Sequence, residues 1–469
     1  MNGDTPQVVR SAQLPADAPQ VAVAIVGGGA CGLTAALMLA DAGVECVVLE
    51  RDAAPSGSTA LSSGFIPAAG TRAQQAAGIA DSPGRFARDI QAKAHGNAAP
   101  HLVQAYANAI GPALDALDAR HGLQFEVLKG FLYPGHSALR MHAVPERTGA
   151  ALMTRLQRAA DAASVTVMTD ALVRELWVGD DGRILGLGYR RPDGLMERLR
   201  CRAVLLACNG FGGNPQLVRE LLPEMAAATF AGHVGNDGSA IAWGRALGAQ
   251  LADLGGYQGH GSWAMPQGVL ISWALMTEGG IQVNREGRRF HDETQGYSEA
   301  AVQVLAQPGG IAWDVFDDAL LAFAQQFPDF REAQAVGAVR TANDMAALAS
   351  LIDCDGAALC ATLDGVREGA VTPDGRRFKR ALVPPYHAAK VTGALFHTQG
   401  GLAIDAQCRV LRQDGTPWPN LLAAGGAARG VSGNAVWGYL SGNGLLSAVA
   451  GGAIAARTLA HYLASTEVA

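Results

Sequence analysis

Val21-Ala-Val-Ala-Ile-Val26 is a short, almost unbroken apolar run. A run without alternation is apolar on both faces, which suits a strand buried inside a parallel sheet. Gly27-Gly-Gly-Ala-Cys-Gly32 follows at once, and Leu33 to Asp41 then reads as a helix stopped by Gly43. Val44 to Glu50 is the next strand and completes a strand–helix–strand unit. Residues 83–163 are rich in Ala and Leu and predict mainly helix. Val165–Met168, Leu172–Val178 and Ile184–Tyr189 predict strands, with a turn at Asp180-Asp-Gly182. Ala203–Ala207 reads as another buried strand and Ser239–Leu247 as a helix. From about Leu254 to His397 this rhythm weakens, which predicts an inserted cap. Strand character returns at Gly401–Ile404 and Asn420–Ala424, and a last helix runs from near Asn443 to about Tyr462.

Composition narrows the class. Hydrophobic residues make up 49% and charged residues 17%, a balance that excludes disorder. A length of 469 residues suits two or three domains at roughly 100–200 residues each. The net charge of −6 argues against a nucleic-acid binder. Seven cysteines are scattered with no C-x-x-C pair, so no zinc ribbon, haem attachment or clustered iron–sulfur motif is present. They read as buried thiols in a reducing compartment, and a cytoplasmic location is expected. Residues 1–20 are polar and rich in Pro and Ala, without the apolar core of a signal peptide, and are expected to be a flexible lead-in. Val431–Ala456 carries no charge, but its Gly, Ser and Asn content reads as a buried loop and helix rather than a membrane span. Glycine is the outlier at 59 residues, nearly twice average usage, which implies close backbone approach to something.

Gly27-x-Gly29-x-x-Gly32 gives that excess a first address. The motif follows a strand, opens a helix, and is followed about 20 residues on by the acidic Glu50. The glycines permit a tight turn beside a pyrophosphate, and the helix N-terminus offers N–H donors to phosphate. Glu50 suits a ribose hydroxyl. Dinucleotide binding follows, and the neighbouring Arg51 does not settle which dinucleotide.

Ser56-Gly-Ser-Thr-Ala-Leu-Ser-Ser-Gly64 settles it by resemblance. With Leu33-Thr-Ala-Ala36, it is similar to the fumarate reductase/succinate dehydrogenase flavoprotein superfamily, which includes 3-ketosteroid dehydrogenases. Ala207-Cys-Asn-Gly-Phe-Gly-Gly-Asn214, Gly235-Asn-Asp-Gly238, the block Gly279–Phe290, His397-Thr-Gln-Gly-Gly401 and Ala423-Ala-Gly-Gly426 resemble further family blocks in family order. The resemblance implies an α/β fold: a Rossmann-like FAD-binding domain (21–255 and 397–469) with an inserted α+β capping domain (256–396). It implies FAD, held noncovalently because the Ser58–Ser63 loop has no histidine for the covalent link. Gly27, Gly29, Cys31, Gly32, Glu50, Arg51, Ser58, Thr59, Ser63, Gly64, Leu172, Asp237, Gly425, Gly426, Asn443, Gly444 and Leu445 are the implied cofactor residues. The family often has Glu where Gly426 stands, so one contact is lost or supplied differently. Tyr439-Leu-Ser-Gly-Asn-Gly-Leu445 resembles the lead-in to a final helix. Its amides near Gly444 and Leu445 would stabilise charge on the reduced flavin.

The substrate end departs from fumarate reductases. Their two carboxylate-gripping arginines match Tyr297 and Tyr439, and a tyrosine cannot make the bidentate fork. Ketosteroid dehydrogenases resemble this chain there. The resemblance makes Tyr297 the base and Tyr439, with the Asn443 N–H, the holder of a carbonyl oxygen. His397 and His260 match substrate histidines of fumarate reductases, and Tyr133 is a further candidate. His291-Asp-Glu293 has the residue types of a metal triplet but not the spacing, and no metal is expected. The expected activity is oxidation or reduction of a carbon–carbon bond beside a carbonyl in a small-molecule substrate. The alternative is a carboxylate-directed enzyme resembling fumarate reductase or tricarballylate dehydrogenase, with Arg429 or Arg289 as replacement cations. A flavin carrier without turnover is the rival from another class. The electron partner is left open by the sequence.

Overall fold

The computed structural model of this chain describes residues 5–11, 13–15 and 17–467. It divides into two compact units. The first runs to Leu217 and adds Gly232–Tyr257 and the chain from His397 onward; the second comprises Val218–Ala231 and Gln258–Phe396.

The first unit is built on a nine-stranded sheet. Its centre is parallel, in the order Thr166–Met168, Cys46–Leu49, Gln20–Val26, Met196–Leu206 and Pro417–Ala423. Val23, Ala24 and Ile25 are fully buried, as a run apolar on both faces requires. Met196–Leu206 changes partners along its length. Its first half pairs antiparallel with Ile184–Arg190, and its second half pairs in parallel with Gln20–Val26. Gln7–Arg10 joins the far edge beside Leu172–Val178. This corrects the expectation of a flexible segment through residue 20, because backbone pairing orders residues 7–10; Met1–Asp4, Ala12 and Ala16 lie outside the described residues.

The helix Ala30–Asp41 is apolar nearly all round and needs cover on more than one face. The terminal helix, Asn443–Glu467, supplies it and runs beyond the expected end at Tyr462. Small residues let the two approach: a Cβ on Gly452 would stand 2.5 Å from the Cys31 carbonyl oxygen. Among the described residues no single helix is long and apolar enough to cross a membrane. One pair bent by 119°, Met345–Ile352 with Gly356–Asp364, passes by length and composition alone. No cysteine is in a disulfide. Cys31, Cys46, Cys201 and Cys408 are buried as expected, whereas Cys208, Cys354 and Cys360 are only half-buried.

The second unit has its own seven-stranded sheet. Its spine is Tyr386–Thr398, a strand the sequence rhythm did not reveal. It pairs antiparallel with Ile311–Asp317, and Trp313, Phe316, Phe330 and Phe378 fill the core. Val218–Ala231 groups here rather than with the expected first domain, because Thr229–Phe230 pairs in parallel with Ala394–Leu395.

Candidate active site

The glycine turn of the first unit is dictated by sterics. Gly27 has φ +108°, and a Cβ there would stand 2.6 Å from the Ala207 carbonyl oxygen. A Cβ on Gly32 would stand 2.0 Å from the Gly27 carbonyl oxygen. Gly29 differs: its nearest neighbour would be Thr59 Oγ1 at 3.6 Å, so the backbone lies open to a ligand. The Ala30 N–H, first in the helix, donates to Thr59 Oγ1 at 3.1 Å. Glu50 accepts from the N–H of Gly28 at 2.8 Å and of Asp52 at 3.0 Å. A carboxylate has about four lone-pair sites, so it retains capacity for hydroxyls. Leu172 follows Ala171, whose N–H donates to the Glu50 carbonyl. Cys31 is buried below the turn, and burial pushes its thiol up to about 12.

The 56–64 loop lies against two asparagines. Ser58 Oγ accepts from Asn209 Nδ2 at 2.9 Å and Asn236 Nδ2 at 3.1 Å. Ser63 is half-buried, and Gly64 (φ +73°) passes so close to Thr148 that a Cβ would meet its carbonyl at 2.8 Å. Asn209 itself holds φ +65°, and its Oδ1 accepts its neighbour's N–H, that of Gly210. That oxygen would be 2.2 Å from a Cβ on Gly426. Asn209 therefore fills the space that a side chain at 426 would need. Gly425 packs on Cys31. Arg51 donates to the Gly235 carbonyl at 3.2 Å and lies 3.5 Å from Asp237. Asp237 is committed within the chain to Arg174 and Ser239. Burial opposes its ionisation, but these partners win and hold its pKa below the ordinary carboxylate value.

Tyr439 and His397 meet edge to face, with ring centres 5.5 Å apart. His397 Nδ1 lies 3.2 Å from Gln399 Nε2 and 3.4 Å from the Thr398 carbonyl oxygen; Gln399 Oε1 accepts from Ser432 Oγ, and Ser432 Oγ accepts from Asn443 Nδ2, each at 2.9 Å. Burial pushes His397 down to about 4, against the pull of the Thr398 carbonyl, so the ring is neutral at pH 7. Its Nε2 would be 2.8 Å from a Cβ on Gly444. The Asn443 N–H donates to the Leu440 carbonyl at 3.0 Å, so the amide expected to hold a substrate oxygen is already engaged. The next two amides, of Gly444 and Leu445, have no acceptor among the described residues. Buried Asn443 Oδ1 also has no hydrogen-bond partner among them. Tyr133 packs edge to face on Phe131 and Phe65.

In the second unit Tyr297 opens the helix Tyr297–Leu305. His260 is stacked between Tyr297, at 5.0 Å, and Phe396, at 5.6 Å. Its Nδ1 accepts the Ser262 N–H at 3.0 Å, and burial pushes it down to about 3. It too is a neutral ring, and its proton sits on Nε2. The candidate replacement cations are tied up. Arg289 pairs with buried Glu293 at 2.6 Å, where Arg376 joins it. In the first unit Arg429 grips Asp253 through two contacts, at 2.6 and 3.2 Å. His291 bonds Gln282 Oε1 at 2.8 Å, and among the described residues no cluster of three or more His, Cys, Asp or Glu is placed to hold a metal.

Sequence reasoning missed Asn209, Gln399 and Ser432. The first two lie inside the 207–214 and 397–401 motifs, but amide side chains there carry no distinct signal. It also missed His136 and Arg140, for which no motif exists.

Open backbone at Gly29, unaccepted amides at Gly444 and Leu445, and the Asn209 infill at Gly426 suit a long, partly anionic cofactor. The FAD binding domain family matches residues 22–445. A probable fumarate reductase, Ifc3, of Shewanella frigidimarina is 26% identical over 96% of this chain and 76% of its own length. The 4-oxocyclohex-2-ene-1-carboxylate 5-dehydrogenase of Sinomonas cyclohexanicum is 26% identical over 89% of this chain and 90% of its own length. In fold, the chain matches the 3-ketosteroid-delta4-(5alpha)-dehydrogenase of Rhodococcus jostii RHA1 with a TM-score of 0.76, at 24% identity, covering 96% of this chain and 99% of that one. The chain thus belongs to the FAD binding domain family, as an FAD-dependent oxidoreductase of the fumarate reductase/succinate dehydrogenase flavoprotein superfamily acting on carbon–carbon bonds.

Proposed function

We propose that this enzyme oxidises or reduces the carbon–carbon bond next to a ketone in a substrate recognised without a carboxylate clamp. One observation carries the reading: the clamp positions are tyrosines, and the candidate substitutes Arg289 and Arg429 are committed to Glu293 and Asp253. His260 and His397 are held neutral by burial. A neutral ring can offer at most one N–H or one lone pair to a substrate, and neither ring offers the charge a carboxylate needs.

FAD, held noncovalently by the glycine turn, the 56–64 loop and the terminal-helix lead-in, supplies a hydride acceptor or donor when bound. Tyr297 takes the proton from the carbon beside the ketone. A free tyrosine titrates near 10 and is protonated at pH 7, so Tyr297 hands its own hydroxyl proton to a relay as it takes the one from carbon. The Tyr439 hydroxyl donates to the ketone oxygen as negative charge develops there. With the Asn443 N–H engaged, Tyr439 carries this role without it. The amides of Gly444 and Leu445 serve the reduced cofactor, aided by the helix dipole.

The Sinomonas relative, named for a ring enone that also bears a carboxylate, supports the ketone reading. The Shewanella relative supports the second reading, a carboxylate-directed reductase. A substrate panel separates the two. Turnover of cyclic ketones or enones, with Tyr439→Phe lowering kcat by about 10²–10³, is expected. Turnover of fumarate or tricarballylate but of no ketone would refute it.

A further inference from the structure

A buried cluster in the first unit lies apart from the residues already assigned. Arg140 is 1% exposed. Its Nε and Nη2 grip the two oxygens of Asp81, each at 3.0 Å, and Nη1 reaches Asp89 at 2.5 Å. The guanidinium lies 4.6 Å above the Phe86 ring. Nη1 also points at His136 Nδ1, 3.5 Å away. An arginine N–H can only donate, so Nδ1 must accept and the ring proton must sit on Nε2. His136 Nε2 lies 3.0 Å from the Ser441 carbonyl oxygen. A carbonyl can only accept, which demands the same tautomer. Two independent contacts thus agree on one protonation state.

Ser441 lies between Tyr439 and the first turn of the terminal helix. Gly442 (φ +88°) turns the chain there against Pro67. The Asn443 N–H closes onto the Leu440 carbonyl, and the Leu446 N–H onto Gly442. The Ser441–Gly442 peptide plane therefore sets where the open amides of Gly444 and Leu445 point. Gly135, next to His136, approaches the same lead-in: a Cβ there would meet Leu440 Cδ1 at 2.7 Å.

We infer that His136, set as an Nε2–H donor by its contacts with Arg140 Nη1 and the Ser441 carbonyl, is a positioning residue. It fixes the 439–445 turn and so the direction of the helix amides toward the cofactor. This rests on the reading above in which that turn serves the flavin and Tyr439 the ketone. Arg140, Asp81 and Asp89 are the charged groups that face His136. Burial and the Arg140 charge oppose its protonation and push it down to about 4, against the pull of the Ser441 carbonyl and of the Asp89 and Asp81 carboxylates.

The test compares His136→Phe, which keeps the ring beside Phe86, with His136→Gln, whose side-chain amide can still donate to Ser441. Two readouts are taken on FAD-loaded enzyme: the flavin midpoint potential without substrate, and kcat with KM. His136→Phe is expected to weaken the preference for reduced flavin about tenfold, or about 30 mV for a two-electron couple. It should lower kcat about tenfold with KM changed less than about twofold. His136→Gln should restore most of both. An unchanged potential and kcat in folded His136→Phe overturns the inference. If that variant fails to fold, side-chain nitrogen NMR of the parent, assigned through His136→Gln, decides. A neutral Nε2–H ring from pH 5 to 8 supports the inference, and an Nδ1–H ring overturns it. A shifted potential with no effect of Tyr439→Phe would leave this inference standing and remove the ketone reading alone.

Discussion

Gly444→Ala tests how closely His397 sits on the terminal helix. An added Cβ would stand 2.8 Å from His397 Nε2 and 2.9 Å from Cε1. Ordinary contacts between such atoms are about 3.5–4.0 Å, so one partner must move by about 0.7 Å or more. His397 cannot move freely, because Gln399, Ser432 and Asn443 hold it in a chain that returns to the same helix. Overpacking of this kind costs about 1–3 kcal/mol. Against that, alanine is a better helix former than glycine by at most about 1 kcal/mol. The clash wins, and Gly444→Ala should destabilise the first unit by about 1–2 kcal/mol. With His397→Ala present the clash is gone, and the same substitution should be neutral or stabilising. The four proteins form a double-mutant cycle with an expected coupling of about 1–3 kcal/mol. Urea unfolding of the apoproteins by far-UV circular dichroism gives each value, provided the slopes agree. Effects that add within about 0.5 kcal/mol would refute the close packing and the role assigned to Gly444.

Two more outcomes are expected. Gly426→Glu should weaken FAD binding, measured by flavin fluorescence on titration into apoprotein, because its Cβ meets Asn209 Oδ1 at 2.2 Å; adding Asn209→Gly should recover affinity. Asp314, on a central strand of the second unit, is fully buried, with Oδ1 bonded to Gln282 and Oδ2 unpartnered. Burial, with the Glu293 charge adding, raises its pKa from 3.8 to about 7 against hydrogen bonds from Gln282 and Ser262. The folded state therefore binds the extra proton, and this group's contribution falls as pH rises from about 4 to 7. Asp314→Asn should flatten that fall and exceed the parent in urea resistance at pH 8 but not at pH 4; a parent-like pH profile would contradict the assignment.

The local half of this protein was legible in its sequence. Apolar runs and glycines a few residues apart determine the strand–helix–strand unit, because its steric demands, such as Gly32 against Gly27, act between near neighbours. Motif order then pointed to FAD and to tyrosines at the clamp positions. Tertiary structure decided which polar groups are still available for chemistry. Arg429 was a candidate cation until Asp253, 176 residues away, proved to hold it. The Asn443 amide was a candidate oxyanion donor until the turn gave it the Leu440 carbonyl. His136 carried no signal at all, because its meaning depends on a carbonyl 305 residues away. Pattern along a chain records what each segment must bury. Which donor meets which acceptor depends on contacts that exist only after distant segments pack, and in a low-dielectric interior those contacts fix charge and tautomer.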